Sequence, residues 1–340
     1  MNIELLPLSK NAYRTNLHCH TTVSDGSMTP EEVKEHYKSL GYSAVCYTDH
    51  EVLVDQSDLC DDTFIALHGY EVAIKKDPAQ HTSYFMPVYH FNFIAEDQKN
   101  LCMPKFYKNN PSVPGAAREW IKRAGQYKED DLIDHTEYSI EWLNEYLCAV
   151  RDAGFLITYN HPEWSLQTER DYIGLEGLHA IEVINGSCSA MNDNTSLHFA
   201  SMLRNNMKVL PVAGDDNHSI RSCGLGWTVI KADKLSYDAL IDAYKKGFCY
   251  ASEGPDFHGI SLEDGNWVIH SSSVCRITML CHSRHTSVRT NSDGTLTEAS
   301  FPFEPEKYGA YVRFELRDAN GNKAYSPAYY VEDLKKQLNA

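Results

Sequence analysis

Two histidines, His18 and His20, stand two residues apart in the stretch "TNLHCHTTVSDG", and Asp25 follows them before the stretch ends. On an extended strand, residues i and i+2 project from one face, so His18 and His20 point together while Leu17 and Cys19 take the other side. A pair of this kind alone is a weak signal, because structural and surface histidines are commoner than ligands. The other histidines and carboxylates give it weight. His50 closes "YTDH", Glu71 lies in "GYEVAI", His90 in "YHFNFIA", His161 in "ITYNHP", and Asp216 and His218 in "GDDNH". His20, His50, His161 and His218 each fall at the end of a predicted strand. In a parallel α/β arrangement such ends form one rim, where catalytic groups collect. Imidazoles and carboxylates brought together there repel one another or are left as buried unpaired polar groups, unless cations neutralise them. The pattern therefore predicts a centre of two or three divalent ions. A donor set of nitrogen and oxygen suits Zn, Mn or Fe, and disfavours Mg, which avoids imidazole.

The elements that must position these residues read as follows. "YRTNLHCH" is a predicted strand. Thr29-Pro30-Glu31-Glu32 offers an N-cap, a proline at the first helical position and a capping-box glutamate, predicting a helix up to Gly41. "YSAVCYTDH" is apolar almost throughout, as a strand buried on both faces should be. "FIALHGYEVAI" and "YFMPVYHFNFIA" are close enough to form a local antiparallel pair. Residues from about 101 to 136, rich in proline and charge, read as an irregular insertion with at most one short helix. A helix over "SIEWLNEYLCAVRDAG" stops at Gly154. Strands at "FLITYNHP", "LHAIEVING", "KVLPVAGDDNH", "GLGWTVIKA" and "FCYAS" follow, with helices at "TSLHFASMLRNN" and "SYDALIDAYKKG". Repeated strand–helix units predict a parallel α/β barrel or open sheet. After "SEGPDF" the chain alternates apolar and polar residues around Asp-Gly and Asn-Gly turns, the texture of a small antiparallel β-sandwich. The expected domains are residues 1–254 and 255–340.

The stretch "NLHCHTTVSDGSMTPEEVKEHYKSLGYSAVCYTDHE" resembles the first two motifs of the PHP (polymerase and histidinol phosphatase) family of metal-dependent phosphoesterases. "GYEVAI", "YHFNFIA", "NHP" and "GDDNH" resemble the remaining motifs, in order. The resemblance covers residues 14 to about 254, and "LGWTVIKADKLSYDALIDAYKKGFCYASEGP" is similar to two-domain members that carry a C-terminal β-sandwich. It implies a distorted (β/α)7 TIM-like barrel with up to three metals. On that implication His18, His20, Glu71 and Asp216 hold the first ion, Asp25, His50 and His218 the second, and a bridging Glu71 with His90 and His161 the third. Asp25 stands where many members have histidine. His81 in "PAQHTSYF" competes with His90 for the last place.

Other residues carry open readings. Asp49 is expected to orient a ligand or cap a turn rather than bind metal. Glu182 and Asn185, at another strand end, either support the site, face the substrate or simply make the rim polar. Arg221, three residues after His218, offers a bidentate fork to a phosphate, with a solvated surface arginine as the alternative. Asp216 and His161 are placed either to ligate or to protonate a leaving alkoxide.

Water bridging divalent ions becomes a hydroxide nucleophile near neutral pH, and the same ions steady the charge on a phosphoryl group. The expected activity is hydrolysis of a phosphate ester of a small molecule or nucleotide. Hydrolysis of another ester or amide bond, and a non-catalytic PHP-like scaffold, are the alternatives. The chain has 340 residues and a formal charge of −16, which excludes general binding to nucleic acid or an anionic membrane. No secretory signal or 18-residue apolar run stands out. Ten cysteines without paired CxxC spacing read as reduced thiols in a cytoplasmic protein, with a disulfide framework as the alternative. Substrate identity and oligomeric state leave no trace in the sequence.

Overall fold

The computed structural model describes residues 2–76, 85–124, 126–188 and 195–338. Strand β1 (Ile3–Leu6) precedes β2 (Asn11–Asn16) and helix α1 (Pro30–Ser39). The helix starts where its cap predicts: Glu32 N donates to Thr29 Oγ1 at 3.2 Å and Thr29 N donates to Glu32 Oε2 at 2.8 Å. Strands β3 (Ala44–Tyr47), β4 (Ile65–Lys75) and β5 (Val88–Ala95) follow. Every residue of β3 is buried, in keeping with its unbroken apolar run. The insertion carries α2 (Gly115–Ala124), one 3-10 turn at Glu129–Asp131 and, in its other described residues, irregular backbone. Helix α3 (Ile140–Asp152) buries Leu143, Tyr146, Leu147 and Val150, a single face at helical spacing. It ends at Gly154, whose φ of +85° most residues avoid. Next come β6 (Phe155–Tyr159), the short α4 (Glu169–Tyr172), β7 (Ala180–Asn185), α5 (Thr195–Arg204), β8 (Leu210–Gly214), β9 (Trp227–Ala232), α6 (Tyr237–Lys245) and β10 (Cys249–Ser252).

The result is a mixed α/β fold with one large sheet. From β2 to β8 the strands lie side by side in chain order. β2, β3 and β4 run parallel, β5 reverses between β4 and β6, and β6, β7 and β8 run parallel again. The predicted antiparallel pair is therefore β4 and β5. The expected parallel arrangement with one antiparallel pair departs further at β5–β6 and at β9 and β10. β9 runs antiparallel along β2, and β10 antiparallel along β9. Because β9 occupies the free edge of β2, no strand ladder joins β8 to β2 among the described residues. Instead the segments beyond the two strands meet through one bridge, Cys19 with Asn217. Asp216 N donates to His18 O at 2.9 Å and His20 N to Asn217 O at 3.2 Å there.

The remaining strands are β11 (Phe257–Glu263), β12 (Asn266–Val274), β13 (Arg276–Cys281), β14 (Ser287–Thr290), β15 (Leu296–Pro302), β16 (Tyr311–Arg317), β17 (Lys323–Tyr325) and β18 (Tyr329–Tyr330), with helices α7 (Pro305–Tyr308) and α8 (Val331–Leu338). β1, β11, β12 and β15 make a four-stranded antiparallel sheet, so the first strand of the chain pairs with residues near 260. β14, β13, β16 and β17 continue the large sheet through the antiparallel β17–β10 pair. Trp267, Phe301, Phe314 and Ile277 form a shared core from both groups of strands. All ten cysteines are free thiols. No helix among the described residues is long and apolar enough to cross a membrane.

The seam between β2 and β8 is fastened from α1. The fully buried Tyr37 places its hydroxyl 2.8 Å from both Asp215 Oδ2 and Asn217 Oδ1, and accepts from Asn16 Nδ2 at 2.9 Å. Asp215 also accepts from the backbone N–H groups of Gly224, Leu225 and Gly226. Removing one hydroxyl from such a buried network leaves partners unsatisfied. Tyr37→Phe is expected to lower stability by about 1–3 kcal/mol, read as a lower urea midpoint with an unchanged slope.

Candidate metal centre

The site is built mostly just past strand ends. His18 and His20 extend beyond β2, His50 beyond β3, His161 beyond β6, and Asp216 and His218 beyond β8. Glu71 and His90 lie within β4 and β5, whose register pairs Glu71 with Asn92 and Ala73 with His90, making the two side chains diagonal neighbours. Several local devices bring these segments together. Gly214 lets β8 approach closely: a Cβ there would stand 2.6 Å from His18 Cβ and 2.9 Å from Glu182 Oε1. Asp49 caps the turn that delivers Asp25, accepting from Thr21 N and Oγ1 at 2.7 and 2.8 Å and from Ser24 Oγ at 2.7 Å. His161 and Asp216 have φ of +24° and +50°, a backbone region that side chains with a Cβ rarely occupy.

All nine residues expected as ligands converge. Glu71 and Asp216 are the hubs. Glu71 Oε1 lies 2.9 Å from His90 Nδ1 and 3.3 Å from both His18 Nε2 and His161 Nε2. Its Oε2 lies 3.1 Å from His50 Nδ1 and 3.3 Å from His20 Nε2. Asp216 Oδ1 is 3.0 Å from His20 Nε2 and 3.4 Å from His18 Nε2. Asp25 reaches His218 at 3.5 Å and His50 at 3.7 Å. The donor atoms fall into compact groups: His18, His20, Glu71 and Asp216; His20, Asp25, His50 and His218; Glu71, His90 and His161; and His18, His161 and Glu182. The first and third groups contain the same residues as two of the sets that the PHP resemblance implies, and the second adds His20 to the remaining one. The first and third lie deep, whereas the side chains of Asp25 and His218 are each 42% exposed, so the centre opens to solvent on their side.

The electrostatics of this volume are strained without a cation. Burial opposes charge on His20, yet Asp216 and Glu71 beside it push its pKa up to about 10. Burial likewise opposes charge on His18 and His161, and neighbouring carboxylates raise both. Burial, together with the charge of His20, pushes His50 down to about 3, and burial also lowers His90. Burial would raise Glu71 and Asp216, but the surrounding rings hold both below the usual carboxylate range. His18 Nε2 and His20 Nε2 face each other at 3.1 Å. Among the described residues the buried His20 Nδ1 has no hydrogen-bond partner, and Glu71 Oε2, though 3.1 Å from His50 Nδ1, makes no hydrogen bond of good geometry. Donors bound at about 2.0–2.1 Å around a tetrahedral cation are separated by about 3.3–3.4 Å, close to the spacings found in the first group. The residues present fit divalent ions.

Some contributors carried no signal in the sequence, as Asn160 and Ser165, and others, as Glu182 and Asn185, had their role left open there. Glu182 Oε1 holds His18 Nδ1 at 2.8 Å, fixing the ring so that Nε2 points inward. Asn160 Nδ2 donates to Glu71 Oε1 at 2.9 Å, and Ser165 Oγ lies 3.1 Å from His161 Nδ1. Glu182 in β7 and Asn160 just past β6 reach across strands, whereas Ser165 is four residues from His161 in the same turn. Asn185 is buried with its amide on Glu182 Oε2 at 3.0 Å and Asp216 Oδ2 at 3.3 Å, between two carboxylates of the centre. Arg221 is exposed in the turn Ile220–Ser222, and among the described residues no hydrogen bond or ion pair ties it to the cluster. His81 lies outside the described residues.

Residues 16–110 match the family model of the PHP domain. No curated protein matches the chain in sequence. Among solved structures, a two-domain protein from Bacteroides vulgatus, described as containing a predicted PHP-like metal-dependent phosphoesterase, is 14% identical, covers 94% of this chain and 96% of that one, and has a TM-score of 0.42. An amidohydrolase from Chromobacterium violaceum with bound sulfate is 18% identical, covers 61% of this chain and 88% of that one, and has a TM-score of 0.39.

Metal ligation requires neutral imidazoles, whereas carboxylates raise the proton affinity of His18, His20 and His161. Loading the ion-free protein with zinc is therefore expected to release protons at pH 7, and apparent affinity should fall as pH is lowered. Titration calorimetry in buffers of different ionisation enthalpy checks this; a heat independent of buffer would contradict it.

Proposed function

We propose that this chain hydrolyses phosphate esters of small molecules or nucleotides, using two or three divalent ions, zinc, manganese or iron in preference to magnesium. The observation that carries the reading is the convergence of six imidazoles with Asp25, Glu71 and Asp216 in groups whose donor atoms lie within bonding reach of a common cation. The PHP match over residues 16–110 supports it, since that stretch supplies His18, His20, Asp25, His50, Glu71 and His90. In the same reading the strands from β2 to β8 are a distorted (β/α)7 barrel, residues 255–340 are a β-sandwich domain whose sheet β1 joins, and the ten thiols are those of a cytoplasmic protein.

Divalent ions, when bound among these residues, would polarise a phosphoryl oxygen and lower the pKa of water. The residues of the chain do the rest. Glu71 turns its two oxygens to different rings, His90 and His161 on one side, His20 and His50 on the other, which suits a bridging carboxylate. Glu182 and Ser165 fix the rotation of His18 and His161, so that one nitrogen of each ring faces the centre. Both nitrogens of His161 are thereby engaged, which supports ligation for it over proton delivery to the leaving group. Asp216 is held by Asn185 and by a backbone kink that Ser187 Oγ secures, donating to Asp216 O at 2.6 Å. Arg221, exposed three residues after His218, supplies a bidentate contact to the anionic substrate in this reading. The formal charge of −16 does not oppose an anion at such a centre, because bound cations invert the local field.

Protein reconstituted with zinc or manganese is expected to carry at least two ions per chain by elemental analysis. Asp216→Ala and His18→Ala should each lower turnover of p-nitrophenyl phosphate by about 100-fold or more. Protein that binds no metal after reconstitution, or variants with wild-type rates, would sink the reading.

A further inference from the structure

One large apolar side chain at the centre is not explained by ligation. Trp164 is 45% exposed, yet its ring touches two of the candidate ligands. It stands edge-on to His161, with centroids 5.1 Å apart and planes at 83°, and tilted on His90 at 5.4 Å and 54°. Scattered exposed tryptophans need no explanation, but this one is carried by a firmly anchored turn. Ser165 N donates to His161 O at 3.1 Å, Leu166 N to Glu163 O at 3.1 Å and Gln167 N to Pro162 O at 3.0 Å, winding residues 161–167 into a tight turn. On either side of the indole the turn is anchored. Glu163 Oε1 lies 2.7 Å from His198 Nε2, and the buried Gln167 accepts from the Tyr159 hydroxyl. Val88 N at the start of β5 donates to Ser165 O at 3.2 Å. Leu166, with φ of +55°, adopts a conformation unfavourable for a residue with a Cβ and is also partly exposed. A strained turn anchored on both sides thus presents an indole that contacts two ligand rings and is in part open to solvent.

An indole fixed in this way gives a flat apolar surface at low conformational cost, suited to stacking with another ring. From this we infer that Trp164 forms a stacking subsite for an aromatic group on the alcohol portion of the phosphate ester, so that the preferred substrates are aryl-bearing phosphates. The inference rests on the phosphoesterase reading for the anionic half of the ligand and on the turn geometry for the aromatic half.

The test uses the full chain loaded with zinc or manganese. Phenylphosphonate and methylphosphonate, which carry the same anion and are not hydrolysed, are titrated calorimetrically into the wild type, Trp164→Ala and Trp164→Phe. The expected result is a preference of about tenfold for the phenyl compound in the wild type, largely lost in Trp164→Ala and largely kept in Trp164→Phe. Because the readout is a ratio, a general loss of anion affinity in a variant does not mimic it. Equal affinities in the wild type, absence of binding by both compounds, or a phenyl preference that survives in Trp164→Ala would overturn the subsite; the last outcome is the one expected if the indole only shields the ligand rings from water. Turnover of p-nitrophenyl phosphate, measured in parallel, separates the two ideas. Turnover without a phenyl preference keeps the hydrolase and removes the subsite, whereas a Trp164-dependent preference without turnover does the reverse.

Discussion

Glu71 is a buried carboxylate with ring nitrogens of five histidines within 3.3 Å of its oxygens. Taken out of water, a carboxylate needs compensating charge, and neutral imidazoles alone supply only hydrogen bonds. Protonating every ring would instead pack like charges together, which is why burial and neighbouring charge drive His50 and His90 down while carboxylates drive His18, His20 and His161 up. The arrangement is self-consistent when cations sit among the donors. Everything else at this end of the sheet can be understood as holding that crowded volume together.

The holding is done by features that would each be unfavourable elsewhere. Asp215 and Asp49 are buried carboxylates whose own pKa values burial raises, and both are spent on backbone and hydroxyl donors rather than on ions. Two residues of the centre sit at positive φ, and Gly214 gives up a side chain so that His18 can lie against β8. Such costs are tolerated where the surrounding packing over-determines the conformation. Here the packing comes from buried strands such as β3 and from helices that press a single apolar face on the sheet.

Much of this was legible beforehand because it is written in short-range patterns. The capping box at Thr29, the stop at Gly154, the unbroken apolar run of β3 and the histidines at four strand ends are local, and each follows from backbone geometry. The convergence of Glu71, His90 and Asp216 with them needed the family resemblance as well, since neither periodicity nor spacing says which strands become neighbours. What stayed hidden was mostly non-local. The antiparallel course of β9 and β10 depends on which edge of β2 is free, and their alternation with helices looks the same in either direction. Asn160 reaches Glu71 only once separate strands meet, the contact with His18 decides among the roles open to Glu182 in β7, and Ser165 and Trp164 read in the sequence as ordinary residues of one loop.

The continuity of the large sheet bears on how the chain can be divided. β10 pairs on one side with β9 and on the other with β17, while β1, at the start of the chain, belongs to the sheet built from β11, β12 and β15. A truncation after residue 254 would strip β10 of one neighbour and leave β1 with no sheet to join. The bared row of N–H and C=O groups along β10 is the kind of edge that recruits strands from other molecules and leads to aggregation. The change of texture near Gly254 therefore marks a poor place to cut, and the expression of either half alone calls for a cover over that edge.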